Sequence, residues 1–280
     1  MLKRTLTSVA IIIVALVVVI FSDYLIYPAV LALLALTAVY EILKVMNRHK
    51  RLALAIPSYI LAIVFPILAY FVTKEMGLEF ILILAAAVFA FLFYLAAIGI
   101  FSRGRIRLAD IAETYMAVSY VIVSLTSLSL LRYIDRDVGV YEVILVFVVA
   151  WICDVFAFLV GSAIGKHKLI PEVSPKKTVE GALGGIVFTA LGCLLYGVIL
   201  EQFFNLDVNY LFLGIIGVIL PTVAQVGDLF ASLIKRENGV KDYGRIFPGH
   251  GGVMDRFDSV VAISTVLLIL CTIFPPFTLI

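Results

Sequence analysis

Apolar runs of about 20 residues recur along this chain, with short polar breaks between them. A helix of that length crosses the roughly 30 Å hydrocarbon core of a bilayer. Nine runs qualify, and they cover residues 6–21, 24–45, 52–72, 78–101, 112–131, 141–165, 181–200, 210–234 and 259–279. The sequence therefore predicts an all-α fold, that of a polytopic integral membrane protein with nine transmembrane helices.

The composition excludes several other classes of protein. Apolar residues make up 64% of the 280 positions and charged residues 14%, whereas a soluble domain has about 25% charged residues. The formal net charge is only +2, so neither a nucleic-acid partner nor a disordered chain is expected. Because the polar segments are too short for a separate nucleotide-binding domain, we predict a single transmembrane helical domain over residues 1–280.

Positive charge is distributed unevenly between the two sides that alternating spans define. With the N-terminus in the cytoplasm, 18 of the 21 lysines and arginines lie on the cytoplasmic side. Only Lys74, Arg132 and Arg136 remain for the other side. The positive-inside rule thus predicts a cytoplasmic N-terminus and, in a bacterium, a place in the cytoplasmic (inner) membrane.

Two acids lie inside apolar runs, near the predicted cytoplasmic side. An unpaired carboxylate there costs at least about 2.5 kcal/mol, so Asp154 and Asp228 are expected to be functional or paired with a base. Asp228 shares one helical stripe with Gln225, Ser232 and Lys235, at spacings typical of a single face. That stripe favours a functional role for Asp228.

Two further acids, Asp255 and Asp258, are three residues apart where the last span enters the membrane. Acids at a helix start can simply balance the helix dipole. Together with Asp154 and Asp228, however, they form a set of oxygen donors without paired cysteine or histidine. Such a set suits a hard divalent cation, Mg²⁺, that carries substrate phosphates.

Basic residues interleave with these acids. They are Lys176, Lys177, Lys235, Arg236, Lys241 and Arg256. The helices that start near residues 181 and 259 are expected to present free N–H groups and positive dipole ends on the same side. Ser174-Pro175 resembles an N-cap followed by a proline in the first helical turn. These features predict an anion site.

A glycine-rich run at residues 249–252 lets the backbone, including Gly251 and Gly252, approach a bulky anion. We expect His250, which lies between glycines, to donate a hydrogen bond to phosphate or to fix the loop. A metal-binding role is less favoured, because such a loop supplies few partners to orient the ring.

The combined pattern indicates metal-assisted phosphoryl or nucleotidyl transfer between a soluble polyphosphate and a membrane lipid. An ion-coupled transporter would use Asp154 and Asp228 as relay groups, but no internal repeat is visible. A transferase acting on a prenyl phosphate is a second alternative. A passive lipid-binding scaffold leaves the cluster of acids and bases unexplained.

Residues 232–258, SLIKRENGVKDYGRIFPGHGGVMDRFD, resemble the signature of the phosphatidate cytidylyltransferase (CDP-diacylglycerol synthase) family. SPKKTVEG at 174–181 and GDL at 227–229 are similar to other segments of that family. The resemblance covers roughly the C-terminal half, so the catalytic cluster is expected within about residues 150–260. It implies that CTP and phosphatidic acid react to give CDP-diacylglycerol and pyrophosphate.

The resemblance also implies roles for individual residues. Asp228 and Asp255 would hold Mg²⁺, with a second cation possible and with Asp258 and Asp154 as nearby acids. The residues expected to neutralise the triphosphate and the lipid headgroup, or to act beside them, are Lys235, Arg236, Lys241, Arg256 and His250. The residues expected to contact substrate are Ser174, Lys176, Lys177, Thr178, Ser232, Gly251 and Gly252. The oligomeric state, including a homodimer, is left open.

Overall fold

The computed structural model describes residues 14–15, 17–76, 79–247 and 251–279. Within them are eight helices long and apolar enough to cross a membrane. They are α1 (Ile26–Val45), α2 (Leu52–Met76), α3 (Glu79–Phe101), α4 (Leu108–Ile134), α5 (Gly139–Ile164), α6 (Val179–Phe204), α7 (Tyr210–Glu237) and α8 (Met254–Ile273). The prediction of an all-α, polytopic integral membrane protein is confirmed. The first of the nine predicted spans, 6–21, lies mostly outside the described residues.

Four short strands accompany the helices in the part of the chain that the structure describes. They are β1 (Lys168–Ile170), β2 (Ser174–Thr178), β3 (Leu206–Val208) and β4 (Phe277–Leu279). β1 pairs antiparallel with β2, and β3 pairs antiparallel with β4. The last predicted span was too long, because the helix ends at Ile273 and two prolines, Pro275 and Pro276, precede a strand.

Backbone contacts divide the chain into two compact units. The first contains Met1–Ile134 and Asp242–Arg256, and the second contains Asp135–Lys241 and Phe257–Ile280. The boundary within α8 falls after Arg256. The prediction of one domain over residues 1–280 stays a prediction.

In the first unit, α1, α2 and α4 pack against one another, and α3 packs on α2 and α4. Ion pairs lie at both ends of α4. Near its start Asp110 is paired with Arg48 at 2.6 Å and also with Arg51, and near its end Arg132 contacts Asp23. Each pair joins groups that the alternation of spans predicts on the same side of the membrane, and the contacts therefore agree with that alternation.

In the second unit, α6 packs closely against both α5 and α7. A Cβ placed on Gly181 of α6 would lie only 2.6 Å from the carbonyl oxygen of Ala157 on α5. A Cβ on Gly217 of α7 would lie 2.7 Å from the Cα atom of Ala190 on α6. The small residues Gly161 and Gly181 thus serve close helix packing.

Ser174 and Pro175 do not start a helix, so that prediction was wrong. Both lie in strand β2, where Ser174 is paired with Ile170. Proline has a fixed φ that fits extended backbone as well as a first helical turn, and the sequence pattern does not distinguish the two. Helix α6 instead starts after Thr178, whose φ of −124° and ψ of 155° are extended.

Candidate active site

A cavity of about 270 Å³ lies in the second unit, where α5, α6, α7 and the β1–β2 pair come together. We call it the polar cavity. Its lining residues are Asp154, Ala157, Phe158, Gly161, Ser162, Leu169, Lys176, Lys177, Thr178, Gly181, Ala182, Gln225 and Asp228. Two of the four predicted acids and three of the predicted substrate-binding residues therefore share one cavity.

Two residues of the predicted stripe on α7, Gln225 and Asp228, line this cavity. Asp228 forms an ion pair with Lys177, and the distance from Asp228 Oδ2 to Lys177 Nζ is 2.5 Å. Ser232 lies one turn further along, and its hydroxyl is 3.5 Å from Asp228 Oδ1. Gln225, one turn earlier, donates from Nε2 to the carbonyl oxygen of Ala182 on α6 at 3.0 Å. Asp228 is thus both paired and accessible, since about a quarter of its side chain (26%) is exposed.

Asp258 and Lys235 extend the charged cluster beyond the cavity lining. Both residues are buried, with exposed fractions of 9% and 8%. Asp228 and Asp154 lie near enough to Asp258 to repel its charge, while Lys235 attracts it. Three carboxylates and two lysines, Lys177 and Lys235, therefore interact within this unit.

No three His, Cys, Asp or Glu side chains among the described residues stand close enough to hold a metal ion as they are placed. The chemistry of the acids nevertheless fits a hard cation, because Asp154, Asp228 and Asp258 offer only oxygen donors. One oxygen of Asp228 is occupied by Lys177. A cation at Asp228 would therefore compete with that ammonium or displace it.

The N-terminus of α6 opens onto the polar cavity. The hydroxyl of Thr178 caps the helix by accepting the N–H of Gly181 at 3.1 Å. Both residues line the cavity, so the positive end of the helix dipole is directed at its contents. Lys176 is exposed beside it. A helix N-terminus with adjacent lysines favours anion binding, and the anion site stays a prediction.

Thr178→Ala should lower the free energy of unfolding by about 1 kcal/mol, because it removes the N-cap acceptor. The measurement is the melting temperature of purified protein in detergent. Thr222→Ala is the matched control, since the Thr222 hydroxyl only bonds the carbonyl of Val218 on its own helix. Thr178→Ser should keep the wild-type value. Equal melting temperatures for the two alanine variants would contradict the capping role.

Glu180 was not identified from the sequence, yet it holds the segment that leads from α5 into β1. Its carboxylate accepts the N–H of Lys166 at 3.1 Å and that of His167 at 3.3 Å. The ring Nδ1 of His167 is 2.6 Å from the same carboxylate. The sequence shows that Glu180 is an acid near the start of a predicted helix, but it does not show which groups the carboxylate contacts.

The remaining predicted residues of the second unit lie around the cluster. Arg236 donates from Nε to the carbonyl oxygen of Val173 at 3.4 Å and from Nη1 to that of Val240 at 3.2 Å. Its guanidinium therefore ties the end of α7 to neighbouring loop backbone. Lys241 is exposed, and Ser174 is half-buried in β2.

In the first unit, the segment before α8 folds around Asp255. Asp255 Oδ2 accepts the N–H of Tyr243 at 2.7 Å and that of Gly252 at 2.9 Å. Gly251 has a φ of +90°, and a Cβ there would lie 2.7 Å from Asp255 Oδ2, so glycine is required. Arg256 is exposed. His250 lies outside the described residues.

Three consecutive N–H groups where α8 begins, two before the helix and one in it, already have acceptors, which differs from the sequence expectation. Gly252 donates to Asp255, as described, and the next two N–H groups, of Val253 and Met254, donate to Glu41 of α1. Glu41 was missed by sequence analysis. An acid inside the predicted span 24–45 was the available signal, since such a group is by default functional or paired.

The fold and the site define a multi-pass membrane protein with a polar cavity that is lined by lysines and acids. The model of the cytidylyltransferase family matches residues 2–274. The chain is 36% identical to the phosphatidate cytidylyltransferase of Staphylococcus saprophyticus, over 95% of this chain and 97% of that protein. It is 35% identical to that of Staphylococcus epidermidis (85% and 86% covered) and 32% identical to that of Staphylococcus aureus (95% and 97% covered).

The chain belongs to the cytidylyltransferase family. The resemblance inferred from residues 174–181 and 227–258 is thereby confirmed, and it extends over nearly the whole chain. Because the members of this family are nucleotidyltransferase enzymes, membership also argues against the two alternative functions of transporter and passive lipid-binding scaffold.

Proposed function

We propose that this protein transfers CMP from CTP to phosphatidic acid, which gives CDP-diacylglycerol and pyrophosphate. A phosphate oxygen of the lipid attacks the α-phosphorus of CTP. The bond from the α-phosphorus to the oxygen that bridges to the β-phosphorus breaks, and pyrophosphate leaves. The names of the relatives and their coverage of this chain support the proposal.

The polar cavity is the observation that carries this proposal. One part of its lining is charged, with Lys176, Lys177 and Asp228, and another part is apolar, with Phe158 and Leu169. Phe158 is 73% exposed on a membrane-spanning helix. A reaction between a water-soluble triphosphate and a lipid phosphate needs both kinds of surface side by side.

The proposed chemistry asks mainly for positioning and charge neutralisation. Lys176, Lys177 and the N-terminus of α6 bind phosphate oxygens. Because a phosphate monoester with a second pKa of about 6 is largely dianionic near neutral pH, the attacking oxygen needs no strong general base. The chain's lysines therefore orient the reacting groups and offset their negative charge.

A Mg²⁺ ion is proposed at Asp228, with Asp258 and Asp154 as nearby acids within the second unit. When bound, it would offset negative charge on the triphosphate. That Asp255 also binds it, and that a second cation takes part, stay predictions from the family resemblance.

We further propose that the polar cavity faces the cytoplasm, in the cytoplasmic membrane of a bacterium. The loop that carries Lys176 and Lys177 is one of those placed inside by the distribution of positive charge. The nucleotide substrate is water-soluble and charged, so it is expected to arrive from that side.

The experiment that tests the proposal is product analysis with purified protein in detergent, Mg²⁺ and CTP labelled at the α-phosphate. We expect pyrophosphate release and a labelled lipid only when phosphatidate is added. Diacylglycerol is the matched control, because it has the same acyl chains without the attacking phosphate. Product with a polyprenyl phosphate but not with phosphatidate would overturn the proposal in favour of the prenyl alternative, and release of pyrophosphate without lipid would also contradict it.

A further inference from the structure

We infer that Glu41 is a positioning residue, which holds the start of α8 and the preceding loop in the arrangement that the proposed reaction requires. The inference rests on the proposed function for its catalytic consequence, whereas the contacts stand by themselves. All the groups concerned belong to the first unit.

Both carboxylate oxygens of Glu41 are used. Oε1 accepts the N–H of Val253 at 3.1 Å, and Oε2 accepts the N–H of Met254 at 2.9 Å. Glu41 lies more than 200 residues away in sequence, on α1, and its side chain is 2% exposed. A buried carboxylate is costly unless it is hydrogen-bonded, and these two N–H groups satisfy it.

Two carboxylates together accept the last two N–H groups before α8 and the first one within it. Asp255 accepts the N–H of Gly252, and Glu41 accepts the next two. These groups would otherwise lack partners within the helix. The orientation of the first helical turn, and with it the direction of Asp255 and Arg256, therefore depends on where α1 places Glu41.

Two glycines of the same loop make room for this carboxylate. A Cβ on Gly244 would lie 2.9 Å from Glu41 Cδ, and one on Gly252 would meet both carboxylate oxygens of Glu41. Neither glycine has a positive φ, so backbone conformation does not require glycine at these positions. A methyl group at either position would instead push the Glu41 carboxylate away from its N–H donors, so the close approach of Glu41 favours glycine at both.

A charge-balancing role alone does not explain these contacts. Lys44 is near enough to interact with Glu41 electrostatically, but so is Asp255, which repels it. The carboxylate is held by backbone N–H groups and by the space that the two glycines leave. The position of the Glu41 carboxylate, and not its charge alone, therefore holds the loop before α8 in place.

Glu41→Gln is the decisive variant, because the amide keeps the shape but turns a donor group toward one of the two backbone N–H groups. We expect kcat with CTP and phosphatidate to fall about 10-fold or more, with the KM for CTP within about threefold. Hydrogen exchange of the peptide that contains residues 251–256 should become faster. Glu142→Gln is the matched control, since Glu142 is a buried acid of α5 in the second unit, 6% exposed.

A second variant keeps the test valid if Glu41→Gln does not fold. Gly244→Ala inserts a methyl group against the carboxylate and should lower kcat and speed the same exchange, whereas Gly214→Ala, whose Cβ has its nearest neighbour at 3.9 Å, should not. Wild-type exchange or wild-type kcat in both Glu41→Gln and Gly244→Ala overturns the inference, as does an equal loss of kcat in Glu142→Gln. If the wild-type protein does not turn over CTP with phosphatidate, the proposed function fails, while the exchange measurement still decides whether Glu41 holds the loop.

Discussion

Asp228→Asn should reduce kcat/KM for CTP by at least about 100-fold, which corresponds to about 2.7 kcal/mol of transition-state stabilisation. The amide keeps the volume of the side chain but loses the charge that pairs with Lys177 and that the proposed cation needs. Asp228 is also the acid of α7 that lines the polar cavity. The measurement is a steady-state assay in detergent with labelled CTP and phosphatidate across a range of Mg²⁺ concentrations.

Asp23→Asn is the control for loss of an ion pair elsewhere in the protein. Asp23 is paired with Arg132 in the first unit and is 71% exposed, so its loss should leave kcat/KM near the wild-type value. Wild-type kcat/KM in Asp228→Asn at every Mg²⁺ concentration would refute the assignment of this acid.

Asp255→Asn should also reduce kcat/KM by about 100-fold. One oxygen of Asp255 accepts two backbone N–H groups, from Tyr243 and Gly252, and an amide supplies a weaker acceptor without charge. If Asp255 also binds Mg²⁺, the Mg²⁺ concentration for half-maximal activity should rise in this variant. The same steady-state assay measures both effects.

Asp242→Asn is the matched control for Asp255→Asn, because Asp242 is an exposed acid of the same segment. It should change neither kcat/KM nor the dependence on Mg²⁺. A large loss of activity in Asp255→Asn with an unchanged Mg²⁺ dependence would contradict metal binding by Asp255 and leave it the role of ordering the loop. Unchanged kcat/KM would contradict both roles.

The transmembrane helices were predictable because every backbone polar group in lipid must be hydrogen-bonded within the protein, and a long apolar run meets that requirement as a helix. The ends of these helices were harder to predict. Helix α4 starts at Leu108 rather than at residue 112, since Asp110 is neutralised by Arg48 and Arg51 and can lie inside the first turn. Similarly, α8 starts at Met254 rather than at residue 259, with Asp255 in its first turn.

Part of the candidate site was also predictable, because its residues are neighbours along a helix or within a short loop. The stripe from Gln225 to Lys235 needed only helical periodicity. The pairing of Asp228 with Lys177 did not follow from periodicity, since it joins α7 to strand β2. The wrong assignment of Ser174 to a helix start has the same cause, because its strand partner Ile170 lies across a turn.

The amino-acid sequence by itself determined the membrane-spanning class, the resemblance to cytidylyltransferases and the kinds of residue available for chemistry. These properties depend on local composition, spacing and a contiguous signature. Only the tertiary structure decided that Glu41 binds the start of α8, that Thr178 rather than Ser174 caps α6, and that Lys177 occupies Asp228. Each of these depends on which backbone or side-chain groups are brought together by packing, because a buried polar group is satisfied by whatever partner lies within hydrogen-bonding distance.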